Sequence, residues 1–531
     1  MGTKNLNSAT DMITFSRASG GTALRRVGYG DDLVTNGDGT NITGWQTFNV
    51  ALTTDGTEFT QTAINTVSGG SYQTITTEAG KVYRLQAVMD QGTSASIRSR
   101  VDDGASVGTG GIFEQVGTGS VDTLFVAQSS QTTVYFRQGT VAIGNASTFD
   151  NISVKEVIFD RASDPLVLFN HPDNIPRIEY DADGAVKGLL IEEARTNLVT
   201  YSEDFSTGWA LQNSTQSIAV GVTSPDGSEN VTQLKETAVN NSFSVYFLQA
   251  IATTWTVSVY IKQLTASRWL QLRPWGAGTG KAYATFSPSD GTLTDSGGTN
   301  LVSTSTEDVG NGWYRVSMTC NLALVGADGA AMAIVDSSTG ETSVRAGDAE
   351  AGVYIFGAQL EAGSFPTSYI PTTGSTATRS ADIASIPVSD FGYNQDAGSV
   401  VVEARTIHTN NVNFARLGAR SSYDNGVDFY VSSGALSAYL WYQNTTSASA
   451  SFGPASANTT YKFAAAIEQN NTAFAFNGSS TNTDTNSPVR YADAIYIGDK
   501  DQNNLYGSCH IKSIKYYPRR LTNDQLAEIT T

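Results

Sequence analysis

Few residues in this 531-residue chain are spaced for chemistry. Two carboxylate pairs come first, Glu192 with Glu193 and Asp499 with Asp501, because two acids flanking one bond are what glycoside hydrolysis needs. Glu192 and Glu193 are neighbours on a predicted strand, so they point to opposite faces and cannot flank a bond. Asp499 and Asp501 belong to DKDQNN, a polar loop in which acids are ordinary. The histidines His171, His408 and His510 are too scattered for a zinc site, and no serine sits in a GxSxG elbow. There is no CxxC pair and no phosphate-cradling glycine loop ahead of a helix. Cys320 and Cys509 lie too far apart for a disulfide framework and read as buried free thiols. The expectation is a protein that is not an enzyme and holds no metal and no cofactor.

Sugar recognition asks for less: an aromatic face for the apolar side of a pyranose, and a few amides or carboxylates for its hydroxyls. Trp269 and Trp275 in SRWLQLRPWGAG and Trp441 with Tyr442 in YLWYQN have such surroundings. In ALSAYLWYQN the alternation puts Tyr439, Trp441 and Gln443 on one face and Leu440 with Tyr442 on the other. Leu440 suits a core, which leaves Trp441 outward as a sugar platform, joined by Asp499, Asp501 and Asn503 of the polar loop. Trp45, Trp209 and Trp313 each follow a glycine, a context that reads as a repeated packing position.

The elements that must carry these residues are strands. Charged residues make up only 15% of the chain and glycine stands at 51, with Ser, Thr and Asn dense throughout, a composition that favours strands and turns over helices. A formal charge of -18 would repel a phosphate backbone or an anionic membrane, so neither nucleic-acid binding nor membrane insertion is expected. The opening MGTKNLNSATDMITF lacks the apolar core of a signal peptide. The length predicts several separate cores.

The chain also repeats itself. FSRAS at Phe15–Ser19 returns as FDRAS at Phe159–Ser163, with a shorter echo, TRSAD, at Thr378–Asp382. DDLVTNGDGTNITGW, ending at Trp45, matches TNLVTYSEDFSTGW, ending at Trp209. Each opening leads through short strand-like runs to a closing strand, FDNISVKEV or VYIFGAQLEAG. One β-sandwich module used twice explains this. Residues 1–30 then read as a polar segment with the first linker, 31–158 as the first module, 159–196 as a linker hairpin turning at Asp181–Gly184, and 197–370 as the second module. Residues 371–398 read as an extended connector and 399–531 as a closing sandwich, ending in a helix capped by Thr522 and Gln525 and stapled by Leu521 and Leu526. In the second module TWTVSVYIKQL alternates like a half-buried antiparallel strand.

GLLIEEARTNLVTYSEDFSTGW, followed downstream by GAQLEAGSFPTSYIPTTGSTATRSAD, resembles a recurrent signature of tail-fibre and other virion-surface proteins of tailed bacteriophages. The stretch between the two strings resembles a carbohydrate-binding-module-like jelly roll. The closing module, with AFAFNG, IYIGDK and YYPRRLTNDQLAEI, is similar to concanavalin A-like lectin or laminin-G-like domains. The resemblance implies an all-β protein of tandem jelly-roll sandwiches with a C-terminal concanavalin A-like sandwich. It further implies an adhesive or structural role on the virion surface, with other virion proteins and host-surface carbohydrate as partners and a homo-oligomer, such as a trimer, as the working state. A particle decoration protein without a glycan ligand and a tail-associated polysaccharide depolymerase are the alternative readings.

Overall fold

The computed structural model describes residues 13–531 except 109, 140–141, 253, 277–280, 341–343, 410, 420–424, 443–444, 486–491, 502–503 and 506. The chain is nearly all β, and its one α-helix among the described residues is Asn523–Thr530. It divides into two compact units, Arg26–Pro165 on the one hand and residues 1–25 with 166–531 on the other.

The unit Arg26–Pro165 is a two-sheet sandwich. One sheet runs Gln46–Phe48, Gly69–Thr76, Gln131–Gln138, Ile97–Asp103, Gly111–Val116; the other runs Val50–Thr54, Phe59–Ala63, Ala146–Phe159, Val82–Asp90, Gly119–Val126. The second unit contains a sandwich of the same order. Ala210–Gln212, Phe243–Leu248, Gly329–Val335, Trp269–Trp275, Tyr283–Phe286 and Leu293–Gly297 form one sheet; Ser214–Ile218, Thr232–Glu236, Gly352–Ala362, Trp255–Gln263, Trp313–Cys320 and Leu301–Gly310 form the other. Strand for strand the two jelly rolls agree, except that in the first Gly21–Asp32 also pairs with the far end of Ala146–Phe159. The second adds one outer strand to each sheet, Leu293–Gly297 and Leu301–Gly310.

The agreement extends to single hydrogen bonds. The Leu33 amide donates to the Val154 carbonyl at 2.9 Å, and Leu198 donates to Leu360 at 2.8 Å. The indole of Trp45 donates to Asn36 and that of Trp209 to Tyr201, in each case the residue just after LVT. Four residues beyond each tryptophan an asparagine, Asn49 or Asn213, takes a left-handed backbone with φ of 57° or 51°. Its side chain donates to a carbonyl across the bend, Ser68 or Ser242, at 3.1 Å in both cases. Asparagine tolerates that region better than other side chains, and here it lets one extended run leave the first sheet and enter the second. The repeated GW context is thus a packing position, each indole lying against its own sandwich core.

The closing sandwich pairs two seven-stranded sheets and is concanavalin A-like. One runs Thr14–Ser16, Ile383–Pro387, Ala494–Ile497, Val412–Gly418, Asn425–Ser432, Ala435–Tyr442, Thr445–Pro454; the other runs Ile178–Tyr180, Val186–Ile191, Cys509–Tyr517, Ala397–Thr406, Thr460–Glu468, Thr472–Phe476, Ser479–Asp484. This corrects the expected boundaries. The polar segment 1–30, the linker hairpin 159–196 and the connector 371–398 each supply strands to this sandwich, so in chain order both jelly rolls interrupt it. The recruited strands are three to six residues long and pair at large separation, as Phe15 does with Ala384, so no local periodicity announces them. The closing helix has the expected capping box, Thr522 with Gln525, and Leu521 and Leu526 share one apolar cluster.

A second correction concerns Trp255–Gln263. Its alternation predicts one exposed face, yet Trp255 to Ile261 are all buried. Val257 and Val259 enter the jelly-roll core, while Tyr260 joins a separate cluster with Trp313, Phe356, Tyr369 and Leu168 that covers the other side of the sheet.

Candidate functional site

The phrases read as linkers meet in a buried ion network. Arg17, from FSRAS, reaches Asp382, from TRSAD, at 3.1 Å and the Pro172 carbonyl at 2.8 Å. Arg177 bonds the same Asp382, and also Glu192 at 2.8 Å and Ser368 at 2.7 Å. Arg379 lies 3.4 Å from Glu192 and donates to the Glu193 carbonyl. The three arginine side chains and Asp382 are fully buried, and Glu192 nearly so. Burial works against the charge of Glu192, but Arg379, Arg177 and Ser368 outweigh it and hold the carboxyl well below its usual range. Burial and the neighbouring Arg177 pull Arg17 down to about 10. Glu192 and Glu193 do part to opposite sides: Glu193 turns outward to Arg195 while Glu192 anchors the network. This is a fastening. It joins the N-terminal strand, the 178–191 hairpin, and both ends of the second jelly roll.

The predicted aromatic platform lies on the outer face of the closing sandwich. Leu440 is completely buried in the core, and Tyr439 and Trp441 are half-buried on the other face. Trp441 stacks on Tyr439 at 5.5 Å and 18°, and Tyr439 on Tyr430 at 5.1 Å and 29°, a three-ring ladder across two strands. Beneath it Arg416 and Asp428 pair at 3.0 Å, buried. Gln443 and Asn503 lie outside the described residues, as do the side chains of Tyr442, Asp499 and Asp501. The backbone of Asp499–Asp501 forms a small hairpin with Asn504–Leu505. It packs on Val412–Gly418, two strands from Ala435–Tyr442.

Trp269 and Trp275 share one face of one strand but stand about 20 Å apart along it, so they make no joint platform. Trp275 instead stacks flat on Tyr246 of the strand two places across the sheet, with centroids 3.6 Å apart and planes at 11°, and Arg273 lies over its ring. Gln271, on the same face, is fully buried and bonds Thr285 and the Gly340 carbonyl.

Sequence reasoning missed a cleft of about 940 Å³ between the second jelly roll and the closing sandwich. Its walls are the hairpin 178–191, the strands Leu301–Gly310 and Trp313–Cys320, the loop Ser364–Ser368 and the closing-sandwich residues Arg405, His408, His510 and Lys512. Lys187 bridges Glu179, at 3.8 Å, and Glu307, and His510 Nε2 meets Glu179. Burial opposes the charge of Glu179, yet Lys187 and His510 draw its carboxyl well below the usual range. His408 bonds the Ser508 amide through Nε2 at 3.0 Å, stacks on Phe365 at 3.7 Å, and is pulled down to about 4 by burial and Arg195. The only signal available in the sequence was the presence of several charged residues, including Glu179, Lys187 and Glu307, in a chain with few of them. Among the described residues no group of three His, Cys, Asp or Glu side chains is placed to hold a metal ion, and no helix is long and apolar enough to cross a membrane. Cys320 and Cys509 are free and buried in separate cores, and burial raises both thiols to about 12.

No family model matches the chain, and no curated protein matches it. Among solved structures, Trypanosoma rangeli sialidase is similar at 8% identity over 96% of this chain and 93% of its own, with a TM-score of 0.23. A truncated AlyQ with CBM32 and alginate lyase domains is similar at 11% identity over 94% of this chain and all of its own, TM-score 0.21. Domains LG4-5 of the mouse laminin alpha1 chain match at 11% identity over 53% of this chain and 89% of their own, TM-score 0.19. Likenesses of this size carry no argument about activity or ligand.

Proposed function

We propose that the chain is a non-enzymatic, glycan-binding structural component of a bacteriophage virion surface, working as a homo-oligomer beside other virion proteins. The observation that carries the glycan part is the ladder Tyr430, Tyr439 and Trp441: three stacked, half-buried rings on an outer sheet face. Such rings offer an apolar face to a pyranose, and an aromatic ladder along a sheet suits successive sugars of a chain. The virion part rests on the resemblance of the long paired strings, and a low-charge surface rich in Ser, Thr and Gly supports packing against other chains. Against a depolymerase stands the employment of the buried acids: Glu192 and Glu179 are held ionised by cations in contact with them, unlike a general acid, and Glu361 and Glu203, whose carboxyls burial pushes up, are taken inside the fold by Gln359 and Thr367 and by Tyr369 and Asn230.

The test is host-cell adsorption of the full chain with Trp441→Ala. Lost adsorption at an unchanged melting temperature supports the platform. Retained adsorption, or lost stability with adsorption intact, removes it. Shortening of host polysaccharide on incubation would replace the adhesin with the enzyme.

A further inference from the structure

The cleft between the second jelly roll and the closing sandwich contains a charge that the protein leaves unpaired. Arg315 is 92% buried, since only 8% of its surface is exposed. Its guanidinium lies 5.6 Å over the Tyr260 ring and donates to Ser258 Oγ at 3.0 Å, while its Nε has no hydrogen-bond partner. Among the described residues no carboxylate lies within ion-pair distance of it. Glu307 is its cross-strand neighbour, but Glu307 turns away to Lys187. Arg405, half-buried on the opposite wall, is similar: its Nε bonds the Asn458 carbonyl at 3.1 Å, and it too makes no ion pair among the described residues. His510, 97% buried, gives Nε2 to Glu179 and leaves Nδ1 without a partner.

The buried acids of the cleft, with Glu307 beside them, are already engaged, while Asp181, Asp183 and Asp308 also line it, the last two exposed to solvent. Glu179 is taken by Lys187 and His510, Glu307 by Lys187, and Glu192 by Arg177 and Arg379. What remains unanswered in the buried part of the cleft is positive. A buried guanidinium without an anion is destabilising relative to one that is paired. The planar fork of arginine fits a carboxylate, and the wall beside it carries the hydroxyls of Ser303, Ser305 and Ser317 for neutral ring hydroxyls. The volume lies within the range of small-molecule sites.

We infer that this cleft is a second ligand site, for a saccharide bearing a carboxylate, with Arg315 and Arg405 as its anion anchors. The choice of a saccharide rests on the glycan-binding reading above; the site and its demand for an anion do not. The ligand is a short stretch of uronate-containing chain, with the acid at Arg315.

Calorimetry on the full chain tests it, using galacturonate, glucuronate and mannuronate tetrasaccharides and their carboxyl-reduced counterparts. At least one uronate should bind, and its reduced form should bind about tenfold or more weakly, the size of a charged hydrogen bond. Arg315→Gln and, independently, the more exposed Arg405→Gln should each weaken the uronate by about tenfold and leave any neutral binding unchanged. The second variant keeps the test open if the first disturbs the fold. Equal binding of acid and reduced forms, no binding of any uronate, or full affinity in folded variants at both arginines would overturn the site. If Trp441→Ala abolishes adsorption while no uronate binds, the adhesin stands and this cleft falls; the reverse pattern keeps the cleft and removes the platform.

Discussion

The two jelly rolls are one topology with opposite outer faces. On the sheet that carries Trp269–Trp275, the second presents Trp275 stacked on Tyr246; on the corresponding sheet the first presents Arg98, Arg100 and Glu114 joined as ion pairs, with Arg100 over Tyr135. Their inner faces, and the backbone bonds that start and close them, match. Core and connection are therefore what the repeat preserves, while the outer face is free to change. A ligand site cannot be carried from one copy to the other by register alone. Only the second copy has its entry and exit clamped by the arginine network, because Glu192 and Asp382 flank it in sequence.

The largest expected difference between the copies lies in their twin pentapeptides. Arg17 of FSRAS is fully buried, whereas Arg161 of FDRAS pairs with Asp164 at 2.8 Å with its side chain 48% exposed. Removing one partner of a buried ion network leaves the other uncompensated, and Arg17→Ala should cost about 3–5 kcal/mol. Arg161→Ala should leave the denaturation midpoint of the Arg26–Pro165 unit unmoved, since an exposed pair contributes little. Urea titrations of the two variants make the comparison. Equal losses would mean that the repeated phrase has one role rather than two.

Acid should separate the units next. All three histidines belong to the second unit. His171 is held well below its ordinary value by burial and by Arg25, Arg177 and Arg17, and His408 is pulled to about 4. A histidine whose folded pKa is depressed binds its proton more readily when unfolded, so the stability it permits is complete above about pH 6.5 and declines as pH falls toward the folded value. For His408 alone that is about 3 kcal/mol between pH 6.5 and 4. Calorimetric scans at pH 7.5 and 5 should show the larger unit's transition falling and that of Arg26–Pro165 nearly fixed. A parallel fall in both would tie the acid response to carboxylates common to the two units.

The same contrast explains what could be read in advance. The repeat, the all-β class, the capped helix and the outward turn of Trp441 opposite Leu440 follow from local pattern, because alternation and turn residues act over a few positions. The short edge strands did not, since Thr14–Ser16 has meaning only beside Ile383–Pro387. Nor did the cleft: Arg315, Arg405 and His510 come from three strands brought together by two sheets, and nothing near any of them in sequence marks it. Arg17, Arg177 and Arg379 were visible as arginines in recurring or sparsely charged phrases, but burial, which gives them their role, is a tertiary property.

A smaller asymmetry sits in the closing strands. Both have a bulge at a left-handed residue, Asn151 at φ 52° in the first copy and Gly357 at φ 59° in the second. Asn151 points to solvent. A side chain at Gly357 would meet the Tyr260 and Tyr369 rings at 3.0 and 3.2 Å, since those rings cover this sheet only in the second copy. Gly357→Asn should therefore destabilise by about 1–3 kcal/mol through overpacking, while Asn151→Gly changes the urea midpoint little. If Gly357→Asn were tolerated, the aromatic cluster would have to be loose enough to move aside.

The smallest effect is the one in which the copies should not differ. Trp45 and Trp209 occupy the same position, each indole donating to the carbonyl after LVT and each ring against its core, with Phe59, Phe136 and Phe149 around the first and Phe205 and Phe247 around the second. Replacement by phenylalanine keeps most of the ring and removes the donor. One carbonyl then loses its partner, but both sites are only partly buried, so water can supply part of what is lost and the cost should be about 1 kcal/mol in either copy. Double-jump unfolding of Trp45→Phe and Trp209→Phe, read against the same reference chain, checks this. Losses that agree within about 0.5 kcal/mol support one packing position used twice, and a clear excess at Trp209, whose bond is the shorter, would show that the second copy relies on its opening more than the first does.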